Sequence, residues 1–408
     1  MATVVLLGTL DTKGVEYAYL RDHIESQGTC DVIMVDAGIL GEPTTRADIG
    51  RQEVAGAAGT TIDRLVSDHD RGAAVAAMAH GAREVVSRLF AEGRLQAILG
   101  LGGSGGSSLV SEAMRGLPVG VPKLLVSTVA SGDTRPYIGA VDIAMMYSVV
   151  DIAGINRLSA RILSNAAAGI AGMALAYSQP LTVASDKPLI GASMFGVTTP
   201  AVTRAREWLE ESGFEVLVFH ATGTGGQSME ALVDGGFLAG VLDITTTELA
   251  DNLVGGVFSA GPDRLEMAGR KGVPQVVSLG ALDMVNFGAK ETVPTQFRER
   301  NLYVHNPTVT LMRTTPEECA ELGRQIAQKL NAATGPVALF VPRKGISAIA
   351  MEGGPFHDPV ADCALIDTLL TNLNDLVEVH DLDLEINDPQ FAEAMAQKMA
   401  ELVQRHGQ

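Results

Sequence analysis

Aromatic side chains are scarce in this 408-residue chain, at 4% with a single Trp, whereas glycine is abundant at 45 residues. That balance predicts tight turns and close backbone approaches. Cysteine is rarer still. Cys30, Cys319 and Cys363 lie far apart with no CxxC pair, which argues against a disulfide framework and a structural zinc site. Cations are outnumbered, with 30 Lys plus Arg against 48 Asp plus Glu and a net charge of -18. A chain this acidic is a poor nucleic-acid binder, because attraction to phosphate backbones needs a surplus of cations. No uncharged apolar run reaches membrane-spanning length, and the apolar residues 1–10 carry no basic lead or small-residue cleavage site. The expectation is a cytoplasmic protein with neither a membrane nor a nucleic acid as partner.

With 46% apolar and 19% charged residues, the chain is globular and long enough for two domains. Strand-like runs alternate with helical stretches, the pattern of parallel sheets with crossover helices. Strands are expected at 3–7, 32–36, 97–99 and 123–128, with helices at 14–26, 73–90, 107–115 and 159–177. A polar, Pro-bearing stretch over 178–188 reads as a linker. A second series follows, with strands near 189–194, 215–220, 239–244, 275–279, 302–305 and 337–341. Thr315-Pro-Glu-Glu318 is a capping box with Pro at the first helical position. The expected fold is α/β, with two Rossmann-like three-layer domains of mainly parallel strands, over 1–182 and 187–408. Strand–glycine loop–helix occurs after residue 97 and again after residue 216, which suggests a pseudo-repeat.

Gly100-Leu-Gly-Gly-Ser-Gly105 satisfies GxGxxG between a strand and a helix. It is not in a first βαβ unit, and the next strand ends in Ser127-Thr128 rather than an acid, which disfavours a dinucleotide. No Lys-Ser/Thr follows the glycines, so a Walker A loop is absent. What remains at Gly102, Gly103, Ser104 and Gly105 is a row of backbone N–H groups at a helix start, suited to phosphate or carboxylate. Gly8-Thr-Leu-Asp-Thr-Lys-Gly14 follows the first strand. There Lys13 offers a point charge, Thr12 a hydroxyl, and Asp11 either a Mg²⁺ ligand or a helix cap. Asp36 ends the second strand and either accepts from a ribose hydroxyl or marks a plain turn. Thr128 adds a hydroxyl at another strand end.

The second half gathers His220, Asp243, Glu248, Asp283, His305 and Asn306 at strand ends. Imidazole beside carboxylate serves acid–base work or a divalent metal, so His220, Asp243, Asp283 and His305 are the candidate catalytic set. His220 abuts Thr222-Gly223-Thr224-Gly225-Gly226, a second anion-ready loop, and Arg343-Lys344 follows the last strand. Eleven acids and no Lys or Arg occupy 345–397, which reads as a solvated acidic face.

Together, Asp11-Thr-Lys13, Arg71-Gly72, Gly100–Gly106, Ser127-Thr-Val-Ala-Ser-Gly132, Val150-Asp-Ile-Ala-Gly-Ile-Asn156, Phe219–Gly226, Asp243–Leu249, Leu282–Gly288 and His305–Thr315 resemble the Tm-1-like ATP-binding family (UPF0261). Its plant members carry this region fused to a further domain and include an inhibitor of tobamovirus replication. The resemblance spans essentially the whole chain. It implies two α/β subdomains, ATP with Mg²⁺ in the first, dimerisation, and a nucleotide site lined by Asp11, Thr12, Lys13, Arg71 and Gly102–Gly105. Arg71 enters only through this resemblance. The functional expectation is an enzyme using ATP or a phosphorylated ligand on a small anionic substrate in a cleft between the domains. The alternative is a nucleotide-regulated binding protein without catalysis.

Overall fold

The computed structural model describes residues 1–180 and 186–406. The middle of the expected linker, 181–185, lies outside the described residues. Internal contacts divide the chain into Met1–Ala184 (unit 1) and Ser185–Gln408 (unit 2).

Unit 1 contains the strands β1 (Ala2–Gly8), β2 (Cys30–Asp36), β3 (Ala97–Gly102), β4 (Lys123–Ser127) and β5 (Ile143–Tyr147). Its helices are α1 (Leu10–Glu25), α2 (Arg51–Ala57), α3 (Ile62–Ser67), α4 (Arg71–Ala91), α5 (Ser104–Arg115), α6 (Arg135–Ile138) and α7 (Arg157–Tyr177). The strands pair in parallel in the order β2-β1-β3-β4-β5. One face buries Tyr17 and Leu20 of α1 with Leu163, Ala167 and Ile170 of α7. The other buries Val54 of α2, Met78 and Val86 of α4 and Val110 of α5, which completes three layers. The helix α7 is long and apolar enough, by length and composition, to cross a membrane, and one of its faces is packed on this sheet.

The order of the strands reverses between β1 and β3, so their carboxyl ends diverge into a crevice of the kind that takes ligands in open α/β sheets. Tyr17 wedges this divergence. Its hydroxyl donates to the Leu7 carbonyl at 2.5 Å and accepts from Leu101 N at 2.8 Å. It also explains Gly8, because a Cβ there would overlap the phenol.

Unit 2 contains β6 (Leu189–Met194), β7 (Glu215–His220), β8 (Gly240–Thr245), β9 (Gln275–Gly280), β10 (Met284–Phe287), β11 (Leu302–Asn306), β12 (Val309–Arg313), β13 (Val337–Pro342) and β14 (Glu378–Leu382). Its helices are α8 (Thr199–Glu211), α9 (Thr224–Asp234), α10 (Thr247–Val254), α11 (Met267–Lys271), α12 (Pro316–Asn331), α13 (Pro359–Asn372) and α14 (Pro389–His406). Six strands form a parallel sheet in the order β14-β13-β9-β8-β6-β7, and β10-β12-β11 form a small antiparallel sheet. Counted from its own first strand, unit 2 repeats the order of unit 1 and adds a sixth strand. The two glycine loops are nevertheless not equivalent, since one follows the third strand of its unit and the other follows the second. The capping box forms as expected, with Thr315 Oγ1 accepting from Glu318 N and Glu318 Oε2 accepting from Thr315 N.

The acidic segment is laced to cations from elsewhere rather than simply solvated. Asp362 pairs with Arg313, Asp381 with Arg343, Asp383 with Lys344, Glu378 with Lys398 and Glu393 with Arg204. Arg343 and Lys344, which follow β13, are engaged on these acids.

Replacing Tyr17 with Phe strands a buried amide and a buried carbonyl. Urea denaturation of Y17F should show a loss of about 1–3 kcal/mol.

Candidate functional site

Three helix starts surround the β1/β3 crevice. The first turn of α1 kinks at Lys13, whose φ of -131° and ψ of 22° leave the helical region. The start of α5 has Gly103 as N-cap and no side-chain cap. Arg71 is the first residue of α4, which Asp70 caps by accepting from Ala73 N at 2.9 Å. Between them lies a cavity of about 280 Å³. Asp11, Thr12, Lys13, Arg71, Gly103, Ser104 and Gly105 all line it, so the structure brings together most of the residues expected of one nucleotide site.

The electrostatics of this cavity are mixed. Lys13 Nζ donates to the Ile152 carbonyl at 2.5 Å, so its charge is oriented by a neutral partner. Asp11 Oδ2 accepts from Leu40 N and Gly41 N at 2.6 and 3.2 Å, while its buried Oδ1 has no partner. The carboxylate thereby pins the loop after β2 across the cavity. Its Oδ1 is the atom able to take a cation or a proton from a ligand.

Three expected residues do not line the cavity. Asp36 is buried, and its Oδ1 accepts from Leu10 N at 3.0 Å and Gly38 N at 2.9 Å. Burial pushes its carboxyl above the ordinary range against the pull of those amides. It organises the loops and is not presented to a ribose. Gly102 shapes the strand-to-helix turn, where a Cβ would overlap Ser107 N. Thr128 donates its own amide to the Gly102 carbonyl at 3.1 Å and supports the turn from behind.

Sequence reasoning missed the apolar wall. Val75 and Met78 of α4, with Ala37, Ile39 and Leu40 after β2 and Leu109 of α5, form it, and a second acid, Asp151, also lines the cavity. A signal existed on α4, where Arg71, Val75 and Met78 fall at helical spacing on one face. The wall after β2 had none, because it is irregular backbone placed by Asp11 and Asp36.

In unit 2 the expected catalytic set is dispersed. Asp243 is buried against Arg264, with Nη1 and Nη2 at 2.5 and 2.7 Å, and it accepts from Ser193 Oγ at 2.6 Å. Asp283 lies at the Arg313 end of β12, where its carbonyl accepts from Thr314 N at 3.1 Å. His305 lies near the Val309 end of that strand, about 13 Å away at the rise of an extended chain. His305 and His220 are exposed, whereas Asp283 is fully buried. Asn306 accepts from Thr308 N at 2.9 Å in a turn. The loop Thr222–Gly226 is occupied from within. Gly223 N and Gly226 N donate to Glu248 Oε1 at 2.7 and 3.1 Å. Thr224 and Gly225 follow in the first turn of α9, and Thr222 donates to the His220 carbonyl. Among the described residues, no group of three or more His, Cys, Asp or Glu is placed to hold a metal ion.

Asp283 titrates unusually. Burial drives its carboxyl from 3.8 up to about 6, against the pull of Arg313 and of the Ser347 hydroxyl at 2.8 Å. The folded state therefore holds this proton more tightly than the unfolded chain, and stability falls as pH rises from about 4 to about 6. Asp283→Asn removes that penalty. Thermal melts should show the variant close to wild type at pH 4 and more stable at pH 7.5, by on the order of 2–3 kcal/mol.

Comparison with known proteins agrees with this architecture. Residues 2–179 match the N-terminal domain and residues 187–403 the C-terminal domain of an uncharacterised protein family, UPF0261. A UPF0261 protein of Clostridium tetani is 53% identical over 98% of this chain and 99% of its own length. The ToMV resistance protein Tm-1(GCR237) of Solanum lycopersicum is 42% identical over 98% of this chain, which corresponds to 55% of the tomato protein. A solved UDP-N-acetylglucosamine 2-epimerase covers 99% of this chain and 94% of its own at 12% identity, with a TM-score of 0.25, too loose a likeness to argue from. On two family models and full-length relatives, the chain belongs to the UPF0261 family.

Proposed function

We propose that unit 1 binds ATP in the β1/β3 crevice. The observation that carries this reading is the convergence of an uncapped α5 start, Lys13 and Arg71 on one cavity with an apolar wall. The amides of the first turn of α5 and the two cations suit the phosphates, while Val75, Met78 and Ile39 suit the face of a base. Arg71 and Lys13 form no ion pair among the described residues, so neither charge is spent on a carboxylate of the chain. Mg²⁺ fits the same reading. Mg²⁺ is commonly held by one or two carboxylates together with substrate phosphates, and Asp11 Oδ1 is a buried acceptor without a partner. When bound, the ion would neutralise phosphate charge beside Asp11.

The reading extends to an enzyme that uses ATP on a small anionic substrate, acting as a cytoplasmic homodimer. The alternative is a nucleotide-regulated binding protein, as the tomato relative's name would suit. The dispersal of His220, Asp243, Asp283 and His305 favours the alternative, because it leaves unit 2 without an assembled acid–base group.

Calorimetric titration of the full chain with Mg-ATP tests the nucleotide site. Lys13→Ala and Arg71→Ala should each weaken binding by about tenfold or more, and Arg71→Lys should recover part of the loss. Unchanged affinity in both alanine variants would place the nucleotide elsewhere. ADP formation with a panel of small carboxylates and sugars separates the two readings. Turnover that depends on a panel member supports the enzyme, and binding without turnover supports the regulated module.

A further inference from the structure

The glycine loop of unit 2 has the donors of an anion site and already holds an anion. Gly223 N and Gly226 N donate to Glu248 Oε1 at 2.7 and 3.1 Å, and Arg264 Nε donates to Oε2 at 2.7 Å. Two amides at a helix start plus a guanidinium form the donor set that proteins present to phosphates and free carboxylates. The backbone is cut to this ligand. Gly223 sits at φ +87°, and a Cβ at Gly226 would overlap Glu248 Oε2 and stand 2.6 Å from Arg264 Nε. Glu248 and Arg264 are both buried at or below 1% exposure, so water cannot substitute for either. Behind the site, Arg264 also binds Asp243 and, at 3.3 Å, Glu230.

We infer that the β7–α9 loop is an anion-binding site whose ligand is the chain's own Glu248 carboxylate. A free small carboxylate takes the same seat when the Glu248 side chain is removed. The contrast with unit 1 is direct. Among the described residues no side chain caps the start of α5, and of the two acids that line its cavity Asp11 directs its Oδ2 to Leu40 and Gly41 while Asp151 Oδ1 accepts from Ile152 N. One unit thus meets its glycine-loop donors from within the chain. The inference stands whether or not unit 1 binds ATP.

Chemical rescue tests it. Glu248→Ala keeps the Cβ, and acetate supplies the missing methylene carbon and carboxylate. In thermal melts of the full-length variant at fixed pH and ionic strength, the melting temperature should fall by several degrees. Acetate should then restore part of that loss saturably, as expected for a ligand that binds only the folded state. Acetamide, matched in shape but neutral, should restore none, and wild type should respond to neither. Should the variant not fold in plain buffer, refolding from urea with each additive reads the same quantity, and folded protein with acetate alone supports the inference. Equal effects of acetate and acetamide, or no acetate effect in the melts and in refolding, would overturn it.

Discussion

Backbone N–H groups exposed by a glycine turn at the end of a parallel strand have to meet an acceptor. A buried amide without one costs on the order of 1–3 kcal/mol. Both sheets put such turns at their carboxyl edges, after β3 in unit 1 and after β7 in unit 2. Unit 2 supplies the acceptor itself, through Glu248 on α10 and the guanidinium of Arg264. Unit 1 leaves the first turn of α5 facing a cavity. Much else follows from that asymmetry. The loop after β2 is held by Asp11 and Asp36 as a wall, and the Tyr17 hydroxyl bridges the Leu7 carbonyl and Leu101 N where the β1/β3 pairing ends.

Charge follows the same logic. A net charge of -18 opposes an anionic ligand at long range, but screening confines that repulsion to roughly 8–10 Å in physiological salt. What matters is the local balance, and five of the eleven acids of the C-terminal segment are paired at 2.8 Å or less with Arg or Lys recruited from outside it. In unit 1, Arg71 and Lys13 form no ion pairs among the described residues. Arg264 shows the opposite case, a cation spent wholly on three carboxylates. The cavity where the helix starts converge is thus lined by two cations that no carboxylate of the described residues pairs with.

Much of the fold was legible in the sequence because its signals were local. Apolar strands alternated with helices, Pro316 followed Thr315 at a helix start, and glycines marked the turns. The antiparallel strands β10 and β12 were not, since Met284–Phe287 and Val309–Arg313 are short and depend on pairing with each other. The polar end of the crevice was legible for the same local reason: Asp11, Thr12 and Lys13 are contiguous, and Gly103–Gly105 open a helix. Its apolar wall was not, since the loop that carries Ile39 and Leu40 is held by Leu40 N and Gly41 N donating to the Asp11 carboxylate, about thirty positions away. The surroundings of the acids in unit 2 were not legible for a related reason. Asp243 near the end of β8 and Glu248 in the first turn of α10 read like catalytic groups, but both are bound by Arg264, which the sequence does not single out.

The central claim is that ligand phosphate meets the glycine loop of unit 1 and not that of unit 2. Amide hydrogen exchange of the full chain with and without Mg-ATP tests it most directly. The account predicts slowed exchange at 9–13, 71–78 and 103–109, with 222–226 unchanged and already slow. Protection appearing at 222–226, or none around 103–109 under saturating nucleotide, would contradict it.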